Sequence, residues 1–275
     1  MFASTLLALR EGLEAALIIG IIIGALYKLN QGRLVPAVWL GAAAAGLLSL
    51  LIALGLYRIG LALEGPAEKI FEGTTMLLAA GVLTWMIFWM KRQSVGMKRA
   101  LEAEVSAVGR KTPFLSLFLL AFLTIIREGV ELGLFLAAAA FSLDGGQVLL
   151  GAALGLAAAA ILGWLLYTSS IRLNLNQFFN VTSVLLLIFA AGLVAHGVHE
   201  FNEVGWIPAV IDPLWNMNHI LDEQSALGEI LKALFGYNGN PSLTEVLAYV
   251  SYIVLIVAAL RTLYASEPRK QPARV

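Results

Sequence analysis

The 275-residue chain contains no cysteine, which excludes disulfides and thiolate metal sites. Charge is scarce as well. Charged residues make up 13% of the chain, where a soluble domain carries about a quarter. The 18 basic and 18 acidic residues cancel, so nothing points to nucleic acid as a partner. No glycine-rich nucleotide-binding loop is present. With thiolates excluded, a metal site has to use carboxylate, imidazole, hydroxyl, carbonyl or thioether ligands. An oxygen-rich set suits hard cations, whereas soft copper(I) asks for sulfur. What the chain does have is apolar residues, at 60%, with mean hydropathy +0.85. These values describe an all-α integral membrane protein, expected as a single domain over residues 1–275.

About 20 apolar residues cross the hydrocarbon core. Seven stretches reach that length, at 3–29, 36–62, 67–90, 113–141, 147–169, 177–200 and 243–264. Pro36, Pro66 and Pro113 stand where helices start, as first-turn prolines do. The N-terminal stretch lacks a basic n-region and a small-residue cleavage site, so it reads as a spanning helix and not a signal peptide. The one long connection covers 201–242. Within it, Leu227, Ile230, Leu231 and Leu234 recur at helical spacing, the pattern of a helix lying on the membrane surface.

Basic residues set the orientation. One side holds Lys28, Arg33, Lys91, Arg92, Lys98, Arg99, Arg110, Lys111, Arg172, Arg261, Arg269, Lys270 and Arg274. The other holds only Arg58, Lys69 and Lys232. The expectation is an N-terminus outside and a C-terminus in the cytoplasm, in the cytoplasmic (inner) membrane.

The two remaining arginines lie inside apolar runs. Arg10-Glu11-Gly12-Leu13-Glu14 and Arg127-Glu128-Gly129-Val130-Glu131 repeat one pattern. A charge at the centre of a membrane helix costs roughly 2.5–3.5 kcal/mol even on a mild scale. A chain that carries three such charges twice has a use for them, and coordinating a cation in transit is the simplest. On a helix wheel Glu14 falls about 40° and Glu11 about 100° from Arg10, so all three share a face. Arg10 and Glu14 can pair at i, i+4. Glycine at the third position lets another backbone approach. Facing each other, the motifs would gather four carboxylates and two guanidinium groups, a net-negative, oxygen-rich pocket. The plainer reading is a pair of self-satisfied structural ion pairs. Two copies at one depth, each with a surplus carboxylate, weigh against it.

Three helices separate the motifs, so the helices that carry them run in opposite directions. That points to an inverted repeat of helices 1–3 and 4–6 with a seventh helix added, and such repeats hold substrate at their interface. Both motifs lie roughly 21–23 Å from the inner face at 1.5 Å per residue.

R-E-G-aliphatic-E on the first and fourth of seven helices resembles the oxidase-dependent iron permease family, which includes fungal high-affinity and bacterial EfeU-type permeases. The similarity runs nearly the whole chain. It takes in FEGTTMLLAAGVLTWMIFWM, FNVTSVLLLIFAAGLVAHGVHE and LGEILKALFGYNGNPSLTEVLAYVSY. The resemblance implies a permease, not an enzyme, with no cofactor and with iron as the transported substrate. Glu11, Glu14, Glu128 and Glu131 would be metal ligands, partnered by Arg10 and Arg127. It also implies an extracytoplasmic oxidase or iron-binding partner protein.

A second group, His196, His199, Glu200 and Glu203, falls on one stripe at the outer end of the sixth helix. Together with Glu72 it could form an outer loading site; an ordinary polar helix end is the bland account. Met76, Met86 and Met90 read as packing. Two other readings stand beside iron import. One is a permease for another metal such as lead or manganese. The other is a membrane di-iron carboxylate oxidase, which would want two Glu-x-x-His motifs; no histidine here follows a glutamate at that spacing.

Overall fold

The computed structural model describes residues 1–93, 101–105, 112–168, 174–223 and 225–266, and its regular elements are helical. They are α1 (Phe2–Lys28), a 3-10 turn (Gly32–Leu34), α2 (Val35–Ala62), α3 (Pro66–Gln93), α4 (Pro113–Ser142), α5 (Gly145–Thr168), α6 (Leu175–Glu203), α7 (Ala226–Phe235) and α8 (Leu243–Ser266). Residues 101–105 are helical too, and Glu102 accepts from Lys28 Nζ at 3.1 Å. Pro36, Pro66 and Pro113 all lie in the first turn of a helix, where a missing N–H leaves no intrahelical bond unmade. Asn174 caps α6 by accepting from Gln177 N at 3.2 Å. Ser225 caps α7 by accepting from Gly228 N at 3.0 Å. Gly236 ends α7 with φ +66°, a left-handed turn that glycine adopts without steric cost.

Among the described residues, six helices are long and apolar enough to cross a membrane. They are α2, preceded by its 3-10 turn, and α3, α4, α5, α6 and α8. The sequence reading expects seven. The difference is α1, 27 residues long, whose apolar run is broken by Arg10, Glu11 and Glu14. Large apolar side chains cover the outside of the molecule, including Leu47, Leu51, Leu149, Trp164 and Leu255. A helix apolar on every side belongs in lipid.

The core has two parts. Leu7 of α1, Leu83 and Ile87 of α3, Phe135 of α4 and Leu186 of α6 fill one. Ile22 and Leu26 of α1, Val38 of α2 and Leu117 of α4 lead the other. Around them the helices pack in pairs: α1 with α5, α2 with α4, α3 with α6, and α8 against α6. Exchanging α1 with α4, α2 with α5 and α3 with α6 returns the first three pairs unchanged. The match reaches single residues. Gly12 meets Ala159 and Ala16 meets Gly163; likewise Gly129 meets Ser49 and Gly133 meets Ala53. Each pair of contacts is one turn apart on both helices. This correspondence points to an internal repeat.

The connection after α6 is folded, not free. Leu214 N donates to Pro241 O at 2.8 Å, Met217 N to Gly239 O at 2.7 Å and Leu243 N to Ile211 O at 3.0 Å. Gly236, just past α7, rests on Gly192 of α6. That contact lies about 16 Å along α6 from its C-terminal end at 1.5 Å per residue. The connection therefore folds back along α6, while Leu227 and Ile230 of α7 stay exposed.

The Gly129–Ser49 contact is testable. A methyl added at Gly129 would collide with the Ser49 side chain, which is itself fixed by donating to Ala45 O at 2.8 Å. Gly129→Ala should lower the thermal stability of detergent-solubilised protein, by about 1–3 kcal/mol for overpacking. Adding Ser49→Gly should recover most of the loss. Gly20→Ala, with nothing near its added methyl, should be neutral or stabilising. Equal melting temperatures for Gly129→Ala and wild type would refute the close approach.

Candidate metal centre

The motif glycines decide where the motif charges go. Gly12 and Gly129 turn their bare faces to α5 and α2, so the flanking side chains turn inward. Arg10, Glu11, Glu14, Glu128 and Glu131 are all buried, with Arg10 at 0% exposure and Glu11 at 1%. Arg127 is the exception, its side chain 39% exposed.

Each arginine grips the glutamate next to it. Arg10 Nη1 donates to Glu11 Oε1 at 2.6 Å. Arg127 donates to Glu128 Oε1 from Nη2 at 2.6 Å and from Nε at 3.2 Å. The i, i+4 pairs are looser. Arg10 Nη2 lies 3.1 Å from Glu14 Oε1, without the alignment of a hydrogen bond. Arg127 Nε lies 3.7 Å from Glu131 Oε1. The sequence favours i, i+4 pairing, yet the neighbouring carboxylate takes the shorter contact in both copies. Bound this way, an arginine engages one oxygen and leaves the other free.

The free oxygens carry the chemistry. Glu11 Oε2, Glu128 Oε2 and Glu131 Oε2 are buried without a protein hydrogen bond. An unsatisfied buried acceptor loses its hydration and gains nothing in return. Each of these three glutamates offers an oxygen, and the three lie within 4.8 Å of one another. Oxygens on opposite sides of a Mg²⁺ or Ca²⁺ ion stand roughly 4–5 Å apart at the usual 2.0–2.6 Å bonds. The spread therefore fits one hard cation. Glu11 comes from α1 and the other two from α4, so neither half of the chain builds the group alone. Glu14 stands beside it, on Arg10.

The outer stripe divides. His196 Nδ1 lies 3.0 Å from Gly192 O, and this ring lines a cleft of about 360 Å³ with Trp215, Phe235 and Tyr249. His199, Glu200 and Glu203 join a different network. His199 Nδ1 is 3.0 Å from Glu245 Oε1 and its Nε2 is 3.3 Å from Glu203 Oε1. Lys69 Nζ lies 3.0 Å from both Glu200 Oε2 and Glu203 Oε2. Glu72 is half-buried on α3, next to Gly73, which abuts Glu200.

Five residues around these groups escape sequence reasoning. Lys69 fills the outer carboxylate pair. Glu245 has a legible signal, because Ser242-x-x-Glu245 is a capping box: Ser242 N donates to Glu245 Oε1 at 3.0 Å and Glu245 N to Ser242 Oγ at 3.3 Å. Its link to His199 has none. Met86, Met90 and Trp89 of α3 touch the motif arginines. Arg10 donates to Met86 Sδ at 3.0 Å and to Met90 Sδ at 2.6 Å. The Arg127 guanidinium stands 4.6 Å above the Trp89 ring. Of the three methionines read as packing, two therefore accept hydrogen bonds from Arg10.

The model of the iron permease FTR1 family matches residues 1–271. Among curated proteins, the ferrous iron permease EfeU of Shigella sonnei is 38% identical over 98% of this chain and 97% of its own length. That of Escherichia coli O157:H7 matches to the same extent. The ferrous iron permease EfeU of Yersinia pestis is 34% identical, over 92% of this chain and 91% of its own. No solved structure matches.

The unequal burial of the two arginines sets up a comparison. Removing one partner of a buried ion pair costs about 3–5 kcal/mol, because the other charge is left uncompensated. Arg10→Ala should therefore sharply lower membrane yield and melting temperature. Arg127→Ala should cost less, since its side chain is already 39% exposed and leaves less charge enclosed. Equal losses in thermal unfolding would argue against the asymmetry.

Proposed function

Because the chain belongs to the FTR1 iron permease family, a family of transporters and not enzymes, we propose that it imports iron through the carboxylate cluster between α1 and α4. Glu11, Glu128 and Glu131 are the ligands in this reading. Glu14 is the adjoining carboxylate on the route, and Arg10 and Arg127 are the resident counterions. One observation carries it: Glu11, Glu128 and Glu131, each with a buried carboxylate oxygen that lacks a protein hydrogen bond, bring ligand oxygens from two helices within 4.8 Å of one another. Iron is the cargo, held in passing, and the bilayer is the protein's solvent. The relatives' names favour ferrous iron, and the same oxygens would also take ferric.

The crossing in this reading is sevenfold. α1 joins the six apolar helices as a spanning helix, since its charges face the cluster and not lipid. Helices α1–α3 and α4–α6 form an inverted repeat, supported by the matched pairing of α1 with α5 and α2 with α4. The excess of basic residues on one side favours an outside N-terminus and a cytoplasmic C-terminus. Each charge moving inward then gains roughly 2.3 kcal/mol per 100 mV of membrane potential, so the potential can drive uptake. An extracytoplasmic oxidase or iron-binding protein is the partner proposed to deliver the ion. His199, Glu200, Glu203 and Glu72 form the outer loading site, with His196 in the adjoining cleft as its approach, and Lys69 keeps the carboxylates neutralised until metal displaces it.

Reconstituted protein should take up iron, and Glu128→Ala and Glu131→Gln should each abolish uptake, a loss beyond the roughly 10–100-fold that removing a mere supporting partner of a ligand costs, while still inserting. Wild-type rates in either variant would end the ligand assignment. Lead and manganese as competitors decide selectivity, and manganese transport in preference to iron would replace iron as the cargo. The natural absence of cysteine makes topology accessible. A cysteine placed at Asn216 should react with an impermeant label only from outside; labelling only from the cytoplasmic side would invert the orientation. His196→Ala with His199→Ala should raise the half-saturating iron concentration and leave the maximal rate. A lower maximal rate alone would assign them to the translocation path.

A further inference from the structure

Each motif arginine is held from two directions. Its own glutamates hold it on one side and α3 holds it on the other. Met86, Trp89 and Met90 stand at i, i+3 and i+4, so they share one face of that helix. The two sulfurs take N–H bonds from Arg10 at 3.0 and 2.6 Å. The indole takes the face of Arg127 at 4.6 Å, within the range of a cation–π contact. Trp85 stacks on Trp89 with ring centroids 6.2 Å apart, so the indole is braced from the same helix.

A guanidinium has five N–H donors in a fixed fork and prefers to bind carboxylate through both oxygens. Left to that preference, Arg10 and Arg127 would cover the oxygens that the cluster leaves free. The site would then hold the protein's own cations. Arg10 instead directs one donor of each terminal nitrogen to a thioether, a weak neutral acceptor. Leucine would fill similar volume but accept nothing. A further carboxylate would accept strongly but add charge. Sulfur satisfies the donor without doing either. An indole face does the same for Arg127, attracting the cation electrostatically without an oxygen.

We propose that Met86, Met90 and Trp89 are positioning residues that hold Arg10 and Arg127 back from the free oxygens of Glu11, Glu128 and Glu131, an inference that rests on the transport reading above. α3 is then the element that keeps the cluster open to cargo. Because one helix face holds both arginines, a displacement of α3 would release the two guanidinium groups together. Each released arginine competes with metal for the same oxygens.

Competition of this kind has a signature that packing lacks. Leucine for methionine is a volume-conserving exchange that cores tolerate, so a packing role predicts wild-type behaviour from Met86→Leu with Met90→Leu. Positioning predicts a half-saturating iron concentration raised roughly fivefold, about the effect of one modest hydrogen bond redirected, with the maximal rate kept. Manganese titrated into the detergent-purified double variant should bind weaker by a similar factor. Trp89→Leu should repeat the effect, and Trp89→Phe, which keeps an aromatic face, should stay nearer wild type. Unchanged half-saturation and manganese affinity in the methionine variant would overturn the proposal. So would equal behaviour of Trp89→Leu and Trp89→Phe. Absence of iron uptake by wild-type protein would instead end the transport reading, and the manganese titrations would still decide the positioning role.

Discussion

Carboxylate and guanidinium groups at membrane depth have no water to fall back on, and the architecture follows from their mutual satisfaction. A lone ion there would cost several kcal/mol even after the surroundings relax. The chain meets that cost by placing opposite charges one residue apart. Arg10 holds Glu11 at 2.6 Å and Arg127 holds Glu128 at 2.6 Å. The charged face then has to be covered from every side. Small residues do this where backbones must come close: Gly12 admits α5 and Gly129 admits α2. The outward faces of α2 and α5 are free to be almost wholly apolar, Arg58 near the end of α2 excepted, because α1 and α4 carry the charge. A helix pair that could not close around Gly129 would leave Glu128 and Glu131 open to lipid.

The two motifs have the same pattern but not the same surroundings. Arg10 is enclosed, whereas Arg127 keeps 39% of its side chain open. Of the cluster's three oxygens, one comes from the enclosed copy and two from the open one. On the transport reading, the inequality makes the Arg127 side of the cluster the more accessible one, while the direction of net movement is set by the potential and the ion gradient.

Much of this was legible in the sequence, and the limit has a physical reason. An all-helical membrane protein follows from apolar runs and helix-start prolines such as Pro113. The repeat follows from R-E-G-x-E occurring twice. Periodicity fixes which face of its own helix a residue occupies. It does not fix which neighbour that face meets, because helix crossings depend on side-chain relief along the whole contact. Met86 and Met90 were therefore visible as residues of one face and invisible as partners of Arg10. Lys69 was visible as an outer basic residue, but its seat between Glu200 and Glu203 depends on how α3 crosses α6 near Gly73 and Gly197. α1 marks the opposite failure. The charges that make it interesting, Arg10, Glu11 and Glu14, are the ones that break its apolar run.

Lys69 and the motif arginines share one device at two depths. In each place a group of carboxylates is held together by a cation that belongs to the protein. Three or four carboxylates gathered without one would repel each other and either take up protons or push the helices apart. A resident cation removes that penalty, but it must be weaker than the cargo or it blocks the site. The protein has two ways to keep it weaker. Beside Glu200 and Glu203 the resident is a lysine, a flexible point charge that metal displaces outright if the proposed loading role holds. At depth, displacement into lipid is too costly, so the resident stays. Its arginines are bound to one oxygen of Glu11 or Glu128 and restrained from the rest by sulfur and indole. On the proposed reading, the same chemistry is solved by exchange at the lysine and by partial occupancy at the arginines.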